Sequence, residues 1–368
     1  MSTSREFIVQ RNDLREVRVV ESIEHPPLPD GTVRMRVDCF ALTSNNITYG
    51  AFGDAMHYWD FFPCEVPGFG RIPVWGFAEV EASNVEGIAV GERFYGYYPM
   101  STHAVLQPEQ VGKGGFVDGA PHRRELHALY NRYMRCSADP GYRREQEAQT
   151  ALLKPLFTTS FLIDDFLADN GFFESQAVIL SSASSKTAYG TAFCMRQRLG
   201  SGGGVKIIGL TSPSNLEFTR ALGCYDEVIA YDQVSGLPAH TPSVYVDMSG
   251  SAQVRHDIHH HFGDALRYSC SVGGTHWTEL GGGKGLPGPR PTLFFAPAQA
   301  AKRMKDWGPG ELPGRIAVAW QAFMKPVNDA QSPWLIVERG TGPQAVEKVY
   351  RELIDGRTDP RLGHVLSL

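Results

Sequence analysis

The chain has 368 residues, a formal net charge of −5, and 42% hydrophobic against 20% charged residues. That balance fits a globular protein of about two domains and argues against a nucleic-acid or anionic-membrane binder, which would present a basic surface. No apolar run approaches the roughly 18 residues that cross a bilayer and no secretory segment opens the chain, so a cytoplasmic location without membrane insertion is expected.

Residues 1–110 alternate short apolar runs with Gly, Pro and Asn punctuation. Residues 32–40, 78–82 and 104–106 read as strands, and GERFYGYYP at 91–99 as a turn entering a strand of a small barrel. An aromatic loop, MHYWDFF, lies at 56–62. Residues 112–150 are Gly-rich and then strongly charged, with Arg123, Arg124, Arg132, Arg135, Arg143 and Arg144. They read as an inserted helical or partly mobile segment with a solvated face. Apolar residues at helical spacing over 152–173, including Leu156, Phe157, Phe161, Leu162 and Phe166, predict a helix.

Residues 177–231 carry the strongest pattern. The apolar run AVIL ends in a small polar turn, SSASSK, and a helical stretch and a Gly break follow. A second apolar strand at 205–210, a second helix with a Gly cap and a third short strand complete a βαβαβ mononucleotide-binding pattern. In such folds the first turn holds a pyrophosphate at a helix N-terminus. The usual G-x-G-x-x-G glycines are replaced by Ser182, Ser185 and Ala188. Small residues still admit close backbone approach. Ser182, Ser184, Ser185 and Thr187 add hydroxyls, and Lys186 adds a cation. After the second strand come Thr211, Ser212, Pro213, Ser214 and Asn215, where an NAD site usually carries an acid for the ribose 2′-hydroxyl. Hydroxyls and an amide would not repel a 2′-phosphate, so NADP(H) is the expected cofactor.

Beyond 231, strand signals recur at 244–248, 266–272 and 292–295. They are separated by the Gly/Pro-rich loop GGGKGLPGPRP at 281–291, a lid or surface excursion. His256, His259, His260 and His261 lack a carboxylate or Cys at a diagnostic spacing, so they read as a His-rich surface helix rather than a metal site. The tail 301–368 alternates helix and strand signals and ends in an apolar strand at 364–368. The six cysteines are scattered without a CxxC pair, which suits buried thiols in a reducing compartment and excludes a four-cysteine zinc lobe.

The order of these parts resembles the medium-chain dehydrogenase/reductase superfamily. ALTSNNITYG at 41–50 resembles a segment bordering its active site, and FAEVEASNVEGIAVGERFYG at 77–96 resembles its G-x-V…V-G-x-V…G-D-R-V-x-G stretch. TSPSNLEFTRALGCYDEVIAYD at 211–232 resembles the matching run of the quinone oxidoreductase branch. FFAPAQAAKRMKDWG at 294–308 resembles the hallmark of a bacterial subfamily of unassigned function. The resemblance implies an α/β fold with a GroES-like β-barrel domain over 1–158 and 300–368, and a Rossmann doubly wound parallel sheet over 159–299. Thr43 stands where zinc alcohol dehydrogenases place a Cys, and residues 71–77 contain neither His nor Glu. A zinc-independent reductase with no metal is therefore implied.

The resemblance also assigns site residues. Tyr231 falls where a tyrosine flanks the adenosine 2′-phosphate. Thr159 and Ser160 fall where related reductases place a hydroxyl near the nicotinamide. Val272, Gly273, Ala296 and Pro297 end later strands, and ligands bind beyond the carboxyl ends of parallel strands. Hydride transfer needs a proton donor. Tyr49, in the segment that resembles the active-site border, is the first candidate, and Tyr58 in the aromatic loop is the second; both residue types also suit plain aromatic packing. Asn46, Phe52, Trp59 and Thr159 are the expected pocket for a small apolar carbonyl-containing substrate such as an enone, a quinone or an acyl chain. Carbonyl reduction, and a non-catalytic nucleotide- or partner-binding protein on a reductase scaffold, remain as alternatives, and a homodimer is compatible with the family.

Overall fold

The computed structural model describes residues 4–22, 27–200, 202–272, 285–308, 310–357 and 359–368. The chain divides into two compact units, Met1–Leu152 with Leu335–Leu368, and Leu153–Trp334.

The first unit opens with β1 (Ser4–Gln10), β2 (Asp13–Ser22), β3 (Val33–Leu42) and the short helix α1 (Ser44–Ala51). Seven strands follow: β4 (Phe69–Gly70), β5 (Pro73–Ser83), β6 (Arg93–Pro99), β7 (His103–Leu106), β8 (Pro108–Gly112), β9 (Gly115–Asp118) and β10 (Arg132–Arg135). The alternation in β3 decides its faces, with Val33, Met35 and Val37 buried and Arg36 exposed, as the two-residue period of a strand requires.

The helix α2 (Glu147–Asp169) carries the chain into the second unit. There β11 (Ala177–Leu180), α3 (Lys186–Leu199), β12 (Lys206–Thr211), α4 (Leu216–Ala221), β13 (Glu227–Ala230), β14 (Ser243–Asp247), α5 (Ala252–Phe262), β15 (Leu266–Ser271) and β16 (Thr292–Leu293) alternate. All neighbouring strands are parallel, in the order β13-β12-β11-β14-β15-β16. Counted within the sheet this is the 3-2-1-4-5-6 order of a doubly wound dinucleotide fold. β11 is buried at every position, as expected for a parallel strand covered on both faces. Two helices follow, α6 (Ala296–Trp307) and α7 (Glu311–Val327).

The chain then returns to the first unit through β17 (Ile336–Thr341), α8 (Pro343–Ile354) and β18 (Leu362–Ser367). β17 and β18 pair in parallel, and β18 pairs antiparallel with β3. The resulting sheet runs β17-β18-β3-β5-β6-β10-β9-β8, with β7 also on β3, and β2-β1-β4 form a smaller sheet.

Three expectations need correction. Residues 112–150, expected to be helical or partly mobile, carry strands: β9 and β10 extend the large sheet. Two of their arginines are also not solvated. Arg123 is buried against Asp118, and Arg135 pairs with Glu92. Second, the boundary expected at 299/300 falls inside α6. Residues 300–334 stay with the second unit because Phe323 of α7 stacks on Phe157 of α2, with ring centroids 4.6 Å apart, and meets Phe193 of α3 at 5.3 Å. Third, the strand expected over 292–295 covers only two residues, and residues 281–284 of the loop before it lie outside those described.

Candidate functional site

The turn after β11 keeps the shape of a glycine turn without its glycines. Ser182 has φ of +50°, a left-handed conformation that costs a non-glycine residue roughly 1–3 kcal/mol. Its amide donates to the Tyr231 hydroxyl at 3.0 Å, so the end of β13 braces the turn. Gly209 on β12 permits close packing beneath it, since a Cβ there would lie 2.9 Å from Ala183. Tyr225 donates to the Ala183 carbonyl at 2.8 Å. Ser185 caps α3 by accepting from the Ala188 amide, and Lys186 is the first residue of that helix. A helix N-terminus with an adjacent cation suits an anionic diphosphate.

The hydroxyls expected to face a ligand divide into two sets. Ser184 and Thr211 are buried, and the Ser184 oxygen accepts from Thr211 at 3.3 Å and from the Asn215 amide at 3.1 Å. These three residues lock the ends of β11 and β12 together. Thr187 and Ser212 are half-buried, and Ser212 lies 3.1 Å from the Ser214 hydroxyl. No carboxylate stands among residues 211–215.

The sheet switches direction between β11 and β14, where a doubly wound fold opens its crevice. A constellation that the sequence reading missed lies there. Asp247, fully buried, pairs with Arg255 at 2.9 Å. Ser181 donates to Asp247 at 3.2 Å and accepts from the Met248 and Ser249 amides. The Asp247 carboxylate also accepts from the Gly250 amide at 2.9 Å. Its charge is thereby matched and its lone pairs used, as burial demands. The signal was the polar DMSGS directly after an apolar strand. At the end of β15, the Ser271 hydroxyl is buried with no hydrogen-bond partner among the described residues. Val272 follows it half-buried, with its amide on the Asp247 carbonyl at 2.9 Å. Gly273 lies outside the described residues. Ala296 and Pro297 form the first turn of α6.

In the first unit, Thr43 caps α1 together with Asn46. The Asn46 carbonyl oxygen accepts from the Thr43 amide at 2.8 Å and from its hydroxyl at 3.0 Å, and its nitrogen donates to the Pro73 carbonyl at 2.9 Å. Asn46 is thus committed to holding α1, and Phe52 forms the C-terminal cap of that helix. Tyr49 is buried, 4.4 Å from Tyr58 between ring centroids and edge-on to Tyr97. Tyr130, from the arginine-rich segment, completes the cluster beside Tyr58, Phe61, Trp75 and Tyr97. Burial raises the Tyr49 and Tyr58 phenols well above the ordinary value, so both are proton carriers near neutrality.

Trp59 sits in a slot between Gly53 and Gly70, where a methyl group on either glycine would overlap the indole. It is 1% exposed. Part of it also lines a cleft of about 360 Å³ with Arg11, His57, Asp60, Cys64 and His122.

Thr159 turns back on its own helix, donating to the Pro155 carbonyl at 3.3 Å. Its neighbour Ser160 is fully buried and donates to the Thr187 carbonyl at 2.8 Å. Gly190 is needed opposite, because a Cβ there would lie 2.6 Å from the Ser160 oxygen. The His-rich helix is only partly a surface feature. His256 and His260 stack in the open at 3.8 Å. His259 is fully buried between the Pro287 carbonyl and the Ser269 hydroxyl, each at 2.9 Å.

A profile of the family described as Protein of unknown function (DUF2855) matches residues 40–359. No curated protein matches the chain. Among solved structures, CurA from Vibrio vulnificus in complex with NADPH is similar over 99% of this chain and 98% of its own, at 15% identity and a TM-score of 0.62. The yhdH oxidoreductase from Salmonella enterica in complex with NADP is similar over 99% of both chains, at 15% identity and a TM-score of 0.53. The quinone oxidoreductase from Coxiella burnetii is similar over 100% of both, at 13% identity and a TM-score of 0.54. The profile match over most of its length makes the chain a member of the DUF2855 family, and the two sheets, the strand order and these likenesses give it the fold of the three solved structures, a GroES-like β domain and a Rossmann domain.

Proposed function

We propose that this protein is an NADPH-dependent, zinc-independent reductase acting on an activated C=C bond or a quinone. The observation that carries the reading is the switch-point turn of the parallel sheet. There a left-handed Ser182, the N-terminus of α3 and Lys186 form an anion cradle, and the end of β12 carries hydroxyls in place of an acid. That NADPH and NADP occupy structures of similar fold supports it.

The residues present fit such a cofactor. Lys186 and the first turn of α3 would hold the pyrophosphate, Ser212 and Tyr231 would face the 2′-phosphate, and the Ser271 hydroxyl, without a hydrogen-bond partner among the described residues, would hold the nicotinamide end with Val272, Ala296 and Pro297. Bound NADPH supplies a hydride. The chain must add a proton, and Tyr49 is the group best suited to give it: buried, protonated at neutral pH and held in an aromatic setting that excludes water. Tyr58 packs on it and steadies the ring. The aromatic surroundings favour a planar, conjugated substrate.

Titration of the purified protein with NADPH and NADH, then a panel of enones, enoyl thioesters, quinones and aldehydes, tests the reading. Substrate-dependent NADPH oxidation is expected. Turnover of aldehydes alone would make it a carbonyl reductase, and binding without turnover would leave a binding protein. Absence of nucleotide binding below millimolar concentration would end the proposal.

A further inference from the structure

Asn45 and Tyr49 stand one turn apart on α1, and the Asn45 amide nitrogen lies 2.7 Å from the Tyr49 hydroxyl oxygen, donating to it. The start of that turn is fixed by the Thr43–Asn46 cap and by the Asn46 bond to Pro73, so the pair is not free to drift. The Tyr49 ring is fixed as well, between Tyr58 and Tyr97. A phenol has one proton and can place it in one hydrogen bond. Because its oxygen accepts from Asn45, that proton is not spent on Asn45.

Resting on the reductase reading, we infer that Asn45 is the positioning residue for the proton donor: its amide holds the Tyr49 oxygen as an acceptor, directs the O–H proton to the substrate, and stabilises the phenolate left behind. The O–H bond of Tyr49 breaks as the new bond to substrate forms, the bonding pair stays on the Tyr49 oxygen, and solvent restores the proton once product has left. Such help is needed at this site. Burial, and after it Tyr58, oppose the phenolate, whereas Trp75, Tyr130 and Asn45 favour it. The Trp75 ring packs on Tyr97 and Tyr130 in the same cluster. Tyr130 gives the arginine-rich segment a part in the same cluster.

The test has an arm that does not depend on catalysis. A fluorinated tyrosine, more acidic than tyrosine, is placed at position 49, and its phenol is titrated by absorbance in the wild-type background and in Asn45→Ala and Asn45→Asp. A hydrogen bond to a charged oxygen contributes about 1.5–3 kcal/mol, so Asn45→Ala is expected to raise the phenol by about one to two pH units. Asn45→Asp, nearly isosteric, is expected to raise it further, because a carboxylate takes the phenol proton for itself. With unmodified Tyr49, both variants should lower kcat at least about tenfold while KM changes less than about twofold. A phenol that titrates alike in all three backgrounds, or a raised KM with kcat intact, would overturn the positioning role. If the wild-type protein turns over no substrate with NADPH, the reductase reading falls and this role falls with it. The phenol titration still reports separately on the Asn45–Tyr49 bond.

Discussion

The Tyr231 hydroxyl accepts a hydrogen bond from the Ser182 amide at 3.0 Å. It thereby joins the end of β13 to the turn after β11. A tyrosine expected to flank the 2′-phosphate thus also braces the turn proposed to hold the pyrophosphate, and burial raises its phenol so that the hydroxyl stays neutral.

Cofactor affinity should respond to this brace in a graded way. Tyr231→Phe removes one neutral hydrogen bond, about 1 kcal/mol or roughly fivefold in the dissociation constant for NADPH. Lys186→Ala removes a charged contact and should weaken NADPH binding by roughly 10- to 150-fold. Calorimetric or fluorescence titration reads both. Wild-type protein that binds NADH as tightly as NADPH would refute the 2′-phosphate preference.

Tyr49→Phe should lower turnover at least tenfold with NADPH affinity nearly unchanged, since general acid catalysis contributes about 10²–10⁴-fold. Tyr58→Phe, which keeps the 4.4 Å ring contact, should change turnover less than about threefold. Steady-state rates on the best substrate of the panel decide it. A normal rate for Tyr49→Phe would move the donor role to Tyr58, His57 or water.

Arg123 is a structural cation. It is 1% exposed, 3.1 Å from Asp118, and donates to the Phe61 carbonyl at 3.1 Å and the Tyr133 hydroxyl at 3.2 Å. Phe62 lies under its guanidinium at 4.4 Å. Arg123→Met should cost about 3 kcal/mol, the lower end for breaking a buried pair, because Asp118 keeps the Gln107 and Ala120 amides. Denaturant unfolding measures the loss, and a change below about 1 kcal/mol would show the pair to be near neutral.

His259 should give stability a pH dependence. Burial lowers its pKa from the ordinary 6.5, so the unfolded chain takes up the proton first as pH falls. Its contribution is complete above 6.5 and declines below it, toward the lowered folded value. Urea midpoints between about pH 8 and about pH 5 should therefore fall more steeply for the wild type than for His259→Gln. Parallel curves would mean that the imidazole titrates as an exposed one.

Much of the second unit was legible in the sequence because its signals are local. AVIL followed by a small polar turn marks a buried parallel strand, and the carboxyl end of β12 could be scanned for an acid. What escaped notice depends on contacts between distant residues. Arg123 reads as one of six surface charges until Asp118 and Tyr133 surround it. Ser184 and Thr211 read as ligand donors until Asn215 is seen to join them. Asn46 reads as a pocket group and Ser160 as a hydroxyl near the nicotinamide, yet each completes a backbone junction. The end of the second unit was misplaced because α6 and α7 have no strand between them, and they are assigned by distant contacts, the stacking of Phe323 on Phe157 and the Arg303–Asp165 pair.

β18 pairs with β3, with His364 opposite Leu42 and Leu366 opposite Phe40. The large sheet therefore cannot close until Leu362–Ser367 has been made, whereas the second unit, continuous from Leu153 to Trp334, is complete earlier. Chains emerge from the ribosome at about 5–20 residues per second and domains fold as units, which sets an order of assembly. The Rossmann unit matures first, while residues 40–42 of β3 wait with an open edge. An unpaired strand edge is a template for wrong partners, so this edge of the nascent protein is open to aggregation in the interval before β18 arrives.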